Sequence, residues 1–223
     1  MCLSLPSLRL HSDVNAMNIQ QLCSGLFSDT MDALGYKRQI ISGFSRNQRI
    51  VRFMGRARTV LIETLETDDE NIKTGLGFLE KVGRGDVLVV EGSSEFAYFG
   101  EMMTRLSIRQ GIEGVVIGGL TRDTVFTHDN CPLPILAKGY TPVDIKGRGR
   151  VQAVDVPIKI DGIQVSNGDL IFADNDAVCV VPGVIEDVVL KAVYKEAKEE
   201  ARIVELIDGN ASVEEMLRVV KSF

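Results

Sequence analysis

The chain is poor in the residues on which several familiar chemistries depend. Its 223 residues include only two histidines, His11 and His128, and four cysteines. Two histidines leave little room for a Ser-His-Asp triad, and Ser93-Ser94 lacks a nucleophile-elbow pattern. Cys2, Cys23, Cys131 and Cys179 are scattered, with no CxxC pair, which argues against zinc. A chain of this length needs no disulfide staples, so a reduced, cytoplasmic setting is expected. No apolar run approaches the about 20 residues that span a bilayer, so no membrane partner is expected. Residues 1–10 lack a lysine-rich start, a long apolar core and a small-residue cleavage site, and do not read as a signal peptide. Basic residues are not in surplus. The net charge is −6, which gives no support to a nucleic-acid partner. The local run Arg46, Arg49, Arg52, Arg56 and Arg58 reads as a solvated strand face. P-loop and dinucleotide fingerprints, repeats and low-complexity tracts are all missing.

What remains is an ordinary globular composition, 45% apolar and 25% charged. Length favours one domain over residues 1–223, with a core over about 24–183 and a C-terminal helical arm over about 184–223. Ile19, Leu22, Cys23, Phe27, Met31 and Leu34 recur at helical spacing and predict a helix over roughly 16–34, with Asp29 and Asp32 on its solvent side. Strand-like runs follow at 49–53 and 58–63, then an acidic turn at 67–70 and a short helix or turn at 75–81. Val87–Glu91 reads as a strand, residues 100–111 as a helix and Val115–Ile117 as another strand. This strand–helix–strand order predicts parallel pairing. Ligands of such sheets sit beyond the carboxyl ends of the strands, where Ser93–Met103 and Gly118–Asp123 are expected. Residues 132–182 read as β-rich. Alternation over 154–160 puts Lys159 on the surface, and Ala177–Val181 is a core strand. A long helix over 184–207 follows, and Ser212-Val213-Glu214-Glu215 has capping-box form.

Chemistry concentrates in two short segments. Gly100-Glu101-Met102-Met103 opens a helix whose free first-turn amides suit an anion such as a carboxylate. Glu101 there is either a reactive acid or simply a residue favoured by the helix dipole, and Met102 and Met103 read as core or pocket wall. Arg122-Asp123 follows a double glycine. Arginine can grip a carboxylate through two parallel hydrogen bonds, and aspartate can bind a hard cation. The same dipeptide also fits a surface ion pair. On the last helix, Ile185, Val189, Ala192 and Ile203 form one stripe that also holds Glu196, Glu199 and Glu200. Either these acids need partners or a metal, or the helix runs past the core into solvent. His128-Asp129 reads as a loop pair.

At these positions the sequence resembles the RraA-like family, which includes class II 4-hydroxy-4-methyl-2-oxoglutarate/4-carboxy-4-hydroxy-2-oxoadipate aldolases and regulators of ribonuclease activity. The resemblance covers about Ser24 to Arg202. Residues 28–35 (SDTMDALG) look like the family's first helix, 85–92 (GDVLVVEG) like its central strand and 168–178 (GDLIFADNDAV) like its late β segment. Gly100-Glu101-Met102-Met103 and Arg122-Asp123 stand at the aldolases' spacing. The resemblance implies an α/β fold, a swivelling β/β/α sandwich, assembled as a homotrimer or a dimer of trimers. It implies a divalent-metal-dependent lyase (Mg²⁺ or Mn²⁺) that cleaves a 2-oxo acid through a pyruvate enolate, with oxaloacetate decarboxylation as a side activity. Asp123 is then the direct metal ligand, and Arg122 binds substrate and steadies the enolate. Glu101 acts on the metal through water. Gly100 and the amides of Met102 and Met103 hold the pyruvyl carboxylate. Glu199 of a neighbouring subunit, with Glu196 and Glu200 as rivals, completes the metal site through water. Gly118-Gly119 replaces the aldolases' usual Asp-Gly, which bears on the choice of substrate. Retention of Asp123 favours an enzyme over a non-catalytic regulator of the same fold, and a related enzyme acting on another 2-oxo or sugar acid is a further alternative.

Overall fold

A computed structural model describes residues 19–65, 72–128 and 131–219. The expectations for residues 1–10, the start of the first helix at 16–18, the 67–70 turn, His11, Cys2 and Asp129 lie outside them. The strands are β1 (Ile40–Ser42), β2 (Ser45–Arg46), β3 (Phe53–Thr64), β4 (Asp86–Val90), β5 (Ala97–Phe99), β6 (Gly114–Thr121), β7 (Ile135–Tyr140), β8 (Gly149–Val154), β9 (Ile158–Ile160), β10 (Ile163–Val165), β11 (Leu170–Ala173) and β12 (Ala177–Val181). The helices are α1 (Ser24–Ala33), α2 (Ile72–Leu79), α3 (Glu101–Gln110), α4 (Thr124–Thr127), α5 (Glu186–Asp208) and α6 (Val213–Val219).

Ten strands form one mixed sheet in the order β1-β12-β11-β3-β4-β6-β7-β2, with β5 beside β6 and β8 beside β3. Its centre is parallel, as the strand–helix–strand order predicts: β3 with β4, β4 with β6 and β6 with β7. Central strands of this kind are apolar on both faces. In β4, Leu88 and Val90 join one cluster with Phe78, Leu79, Phe99 and Met103, from α2, β5 and α3. Val87 and Val89 face the other way, onto Ile158, Ile160 and Val165 of the β9–β10 hairpin. At the other end of the sheet, Phe172, Cys179 and Val181 pack under α1 and α5 against Phe27, Val189 and Val193.

Several expectations need correction. The first helix is not continuous from residue 19. A short 3₁₀ turn covers Ile19–Gln21, and α1 starts only at Ser24, whose amide is taken by Asp174 Oδ2 at 2.7 Å. Asp29 and Asp32 are exposed, as read. Residues 49–52 form no strand, because side chains occupy the local backbone: Asn175 Oδ1 accepts from Val51 N at 2.7 Å. Phe53 and the 58–63 run belong instead to one twelve-residue strand. The 154–160 alternation is broken at Asp155, which turns into the left-handed region (φ 55°) and pairs with Arg58 at 2.8 and 2.9 Å. Lys159 is exposed as expected.

The basic run is likewise not a solvated face throughout. Arg56 makes a two-pronged pair with Glu186, one prong at 2.6 Å. Arg58 adds Lys81 O at 2.9 Å and the Phe78 ring to its Asp155 pair. The stripe on α5 is rotated from the predicted one. Ile185, Val189, Val193 and Ala197 face the core, Glu196 is half-buried, and Glu199 and Glu200 are exposed. Past Ala197, α5 has no buried residue, so the helix does run beyond its own chain's core. The capping box at Ser212 forms as read, with Glu215 N donating to Ser212 Oγ at 3.2 Å and Ser212 N to Glu215 Oε2 at 2.8 Å.

Candidate functional site

Two close backbone approaches build the site. The sheet does not end at Ile117; β6 continues through Gly118-Gly119 to Thr121. A Cβ on Gly118 would overlap Glu91 O, and one on Gly119 would overlap Ser93 N. The glycines therefore serve close packing rather than a turn. That packing lets Leu120 N reach Ser93 O at 2.9 Å and lets β5 pair beside β6. Thr121, fully buried, donates its hydroxyl to Phe99 O at 2.7 Å, and Arg122 N donates to the same carbonyl at 3.1 Å. The end of β5 thus holds the end of β6, and α3 starts immediately after β5.

Gly100 caps α3, and a Cβ there would overlap Asp123 Oδ2 and crowd the Arg122 side chain. The first intrahelical bond of α3 is Thr104 N to Gly100 O at 2.9 Å. The amides of Glu101, Met102 and Met103 precede it and have no intrahelical acceptor. Glu101 N donates to Asp123 Oδ2 at 2.8 Å. Asp123 thus places its carboxylate on the positive end of the helix, the ready anion position of such a terminus. Its backbone is left-handed (φ 60°, ψ 44°), a conformation that aspartate adopts more readily than most residues.

Arg122 lies between two acids. Its Nε is 3.6 Å from Asp123 Oδ2, and its Nη1 is 2.6 Å from Asp144 Oδ2. Partial burial alone would raise the Asp144 pKa. The hydrogen bond from Arg122 and the amides of Lys146 and Ile145 outweigh it and hold the carboxyl below its ordinary value. Glu101 pairs one turn along with Arg105, at 2.7 and 2.8 Å, and the Arg105 guanidinium lies 4.0 Å from the Phe126 ring centroid. Met103 is buried, whereas Met102 is 71% exposed and so no core residue.

The fold therefore brings Gly100, Glu101, Arg122, Asp123 and the first-turn amides to one helix end. It does not bring the C-terminal acids there. Among the described residues, no group of three or more His, Cys, Asp or Glu side chains gathers as a metal cluster within one chain. His128 instead faces Tyr140, with Nε2 and the phenol oxygen 3.2 Å apart. Sequence reasoning missed Asp144 and Arg105. Arg105 carried a local signal, four residues after Glu101. Asp144 carried none, because its partner is on another strand end.

The mixed sheet with its flanking helices is an α/β fold of the RraA-like type. A sequence profile of the RraA-like family (Aldolase/RraA) matches residues 25–180, and the chain belongs to that family. A 4-hydroxy-4-methyl-2-oxoglutarate aldolase of Thermus thermophilus is 34% identical over 133 residues, 59% of this chain and 76% of the relative. Protein DlpA of Legionella pneumophila is 27% identical over 212 residues, 92% of this chain, but the match spans only 34% of DlpA. The solved structure of Streptomyces coelicolor RraAS2, described as an unusual member of the RNase ES inhibitor RraA protein family, superposes with a TM-score of 0.74. It is 27% identical, with 88% of this chain and 98% of that one covered.

Proposed function

We propose that the chain is a divalent-metal-dependent lyase that cleaves a C–C bond of a 2-oxo acid, of the 4-hydroxy-4-methyl-2-oxoglutarate aldolase type, with oxaloacetate decarboxylation as a side activity. The observation that carries this reading is the convergence of Asp123 and Arg122 on the α3 N-terminus, with Glu101 as its first residue. The aldolase of Thermus thermophilus supports the reaction class.

The donor set fits a hard cation. Asp123 and Glu101 are carboxylates with side chains 41% and 42% exposed, and Mg²⁺ and Mn²⁺ prefer such oxygen ligands. Asp123 would hold the cation directly and Glu101 through water. The family resemblance adds a third acid, and Glu199 of a neighbouring subunit in a homotrimer or dimer of trimers is its proposed source. When bound, the cation would supply Lewis acidity at the keto oxygen.

The chain's own groups account for the rest. The amides of Met102 and Met103, together with Arg122, bind the substrate carboxylate. Glu101 Oε2 receives the proton of the substrate hydroxyl, directly or through one water. As the C–C bond breaks, its electron pair moves into the carbonyl system to give a pyruvate enolate. The fixed Arg122 guanidinium balances the charge that develops there. Oxaloacetate, which loses CO₂ through the same enolate, is a substrate on the same grounds. The setting proposed for this chemistry is cytoplasmic. Among the described residues, no helix is long and apolar enough to cross a membrane.

The test is pyruvate release from 4-hydroxy-4-methyl-2-oxoglutarate and from oxaloacetate, with Mg²⁺ and then with EDTA. Asp123→Ala should reduce release about 1,000-fold while its circular dichroism stays that of the wild type. A variant that turns over normally removes Asp123 from the mechanism. The likeness to RraAS2 supports a second reading, a non-catalytic protein that binds a ribonuclease. A folded wild type with neither metal binding nor pyruvate release would favour it.

A further inference from the structure

Arg122 has two acidic neighbours, and it does not treat them equally. Its Nη1 lies 2.6 Å from Asp144, within hydrogen-bond range, whereas its nearest approach to Asp123 is an Nε contact at 3.6 Å. The unequal sharing matters because the two acids have different work under the proposed reading. An arginine folded fully onto Asp123 would compete with a cation for that carboxylate and would spend its own donors doing so. Something has to draw it away.

Asp144 is built to do that. Its segment is pinned to the strand that leads into α3: Ala97 N donates to Val143 O at 2.9 Å, and Ile145 N donates to Ala97 O at 3.2 Å. Thr141 N is tied to Thr121 O at 3.0 Å, next to Arg122 itself. The other carboxylate oxygen of Asp144 accepts from Lys146 N at 3.1 Å, which fixes its rotation. The acid is thus held by the same two strands, β5 and β6, that position Gly100 and Arg122. Asp123 has no comparable brace on the arginine.

We infer that Asp144 is a positioning residue for Arg122: it draws the guanidinium off Asp123, leaving that carboxylate free for a divalent cation and the remaining arginine donors free for a 2-oxo carboxylate. The inference rests on the proposed lyase reading for its chemistry, but its binding consequence can be measured without turnover. Loss of the Asp144 charge should let Arg122 close onto Asp123. Cation affinity and substrate affinity would then fall together, although Asp144 touches neither ligand.

The experiment is a double-mutant cycle on the full chain, read by Mn²⁺ binding (electron paramagnetic resonance titration) and by KM and kcat for pyruvate release. Asp144→Asn should weaken Mn²⁺ binding and raise KM, each about 10-fold, the usual scale for an outer partner of a ligand. Asp144→Glu, which restores the charge, should recover most of both. In an Arg122→Ala background, Asp144→Asn should change Mn²⁺ affinity no further, because the arginine it restrains is gone. Thermal melts of each variant separate this from a folding defect, which would persist in the Arg122→Ala background. Coupling in Mn²⁺ affinity without pyruvate release by the wild type would uphold the Asp144 role while the lyase reading fails. Wild-type turnover with unchanged Mn²⁺ affinity and KM in Asp144→Asn would overturn the Asp144 role while the lyase reading stands. Absence of Mn²⁺ binding by the wild type would overturn both.

Discussion

Two helices in this protein begin with the same hydrogen bond, an aspartate carboxylate from elsewhere in the chain accepting the first amide. At α1 the pair is Ser24 N and Asp174 Oδ2, 2.7 Å apart; at α3 it is Glu101 N and Asp123 Oδ2, 2.8 Å apart. The surroundings differ. Asp174 is 6% exposed, and its second oxygen accepts from Asp176 N and Ala177 N at 2.9 and 3.2 Å. Asp123 is half-exposed, has a left-handed backbone and shares the neighbourhood with an arginine that is pulled elsewhere. A carboxylate surrounded by amides and shut off from water is a fixture of the fold. One that makes the same bond at the surface can exchange it for a ligand. The difference lies in how completely each acid is satisfied.

Either cap can be perturbed on its own. After loss of Asp123 itself, the largest effect is expected from Gly100→Ala, which drives a Cβ into the space of Asp123 Oδ2. The carboxylate must move, and under the proposed lyase reading turnover should fall about 100-fold in steady-state assays, the scale of small misplacements of reacting groups. Asp174→Asn should come next, costing about 2 kcal/mol in urea unfolding at neutral pH through loss of charge-assisted bonds. Its effect also depends on pH. Burial alone would raise the Asp174 pKa, but the amides of Ser24, Asp176 and Ala177 and the Ser24 hydroxyl hold it below the ordinary value. A depressed carboxyl stabilises the fold above its unfolded pKa of about 4, and that contribution is lost as pH falls through the lower folded value. The gap between wild type and Asp174→Asn should therefore narrow between neutral pH and pH values well below about 4. The smallest effect on stability is expected for Asp123→Asn, about 0.5 kcal/mol or less in the same assay, in keeping with its exposed position. A large stability loss there would erase the distinction between the two caps.

Much of the frame was legible because it was written locally. Gly100 and Gly111 bound α3 on both sides, and the apolar runs at 87–91 and 115–117 announced the parallel centre. Glu101, Arg122 and Asp123 were singled out as candidates through the family resemblance, and the fold brings them to one helix end. What escaped was set by partners far off in sequence. That Gly118-Gly119 continues a strand pressed against the Glu91–Ser93 backbone is not visible from its own residues. Arg56 and Arg58 look solvent-facing until Glu186 and Asp155 arrive, 130 and 97 positions later. The stripe on α5 was misplaced by one neighbouring row, since Ala192 and Val193 differ only in which side the sheet occupies. Asp144 has no periodic or motif signature at all.

The Asp174 cap also sets an order on assembly. Helix α1 takes its opening bond from a residue 150 positions downstream, and among the described residues β1 pairs with β12 alone. A ribosome adding roughly 5–20 residues per second makes the α1 segment many seconds before Asp174 exists. During that interval Leu26, Phe27 and Met31 have no β11–β12 surface or α5 to cover them. The α1 segment is therefore made well before the β11, β12 and α5 residues that cover it, and its apolar side chains wait for them.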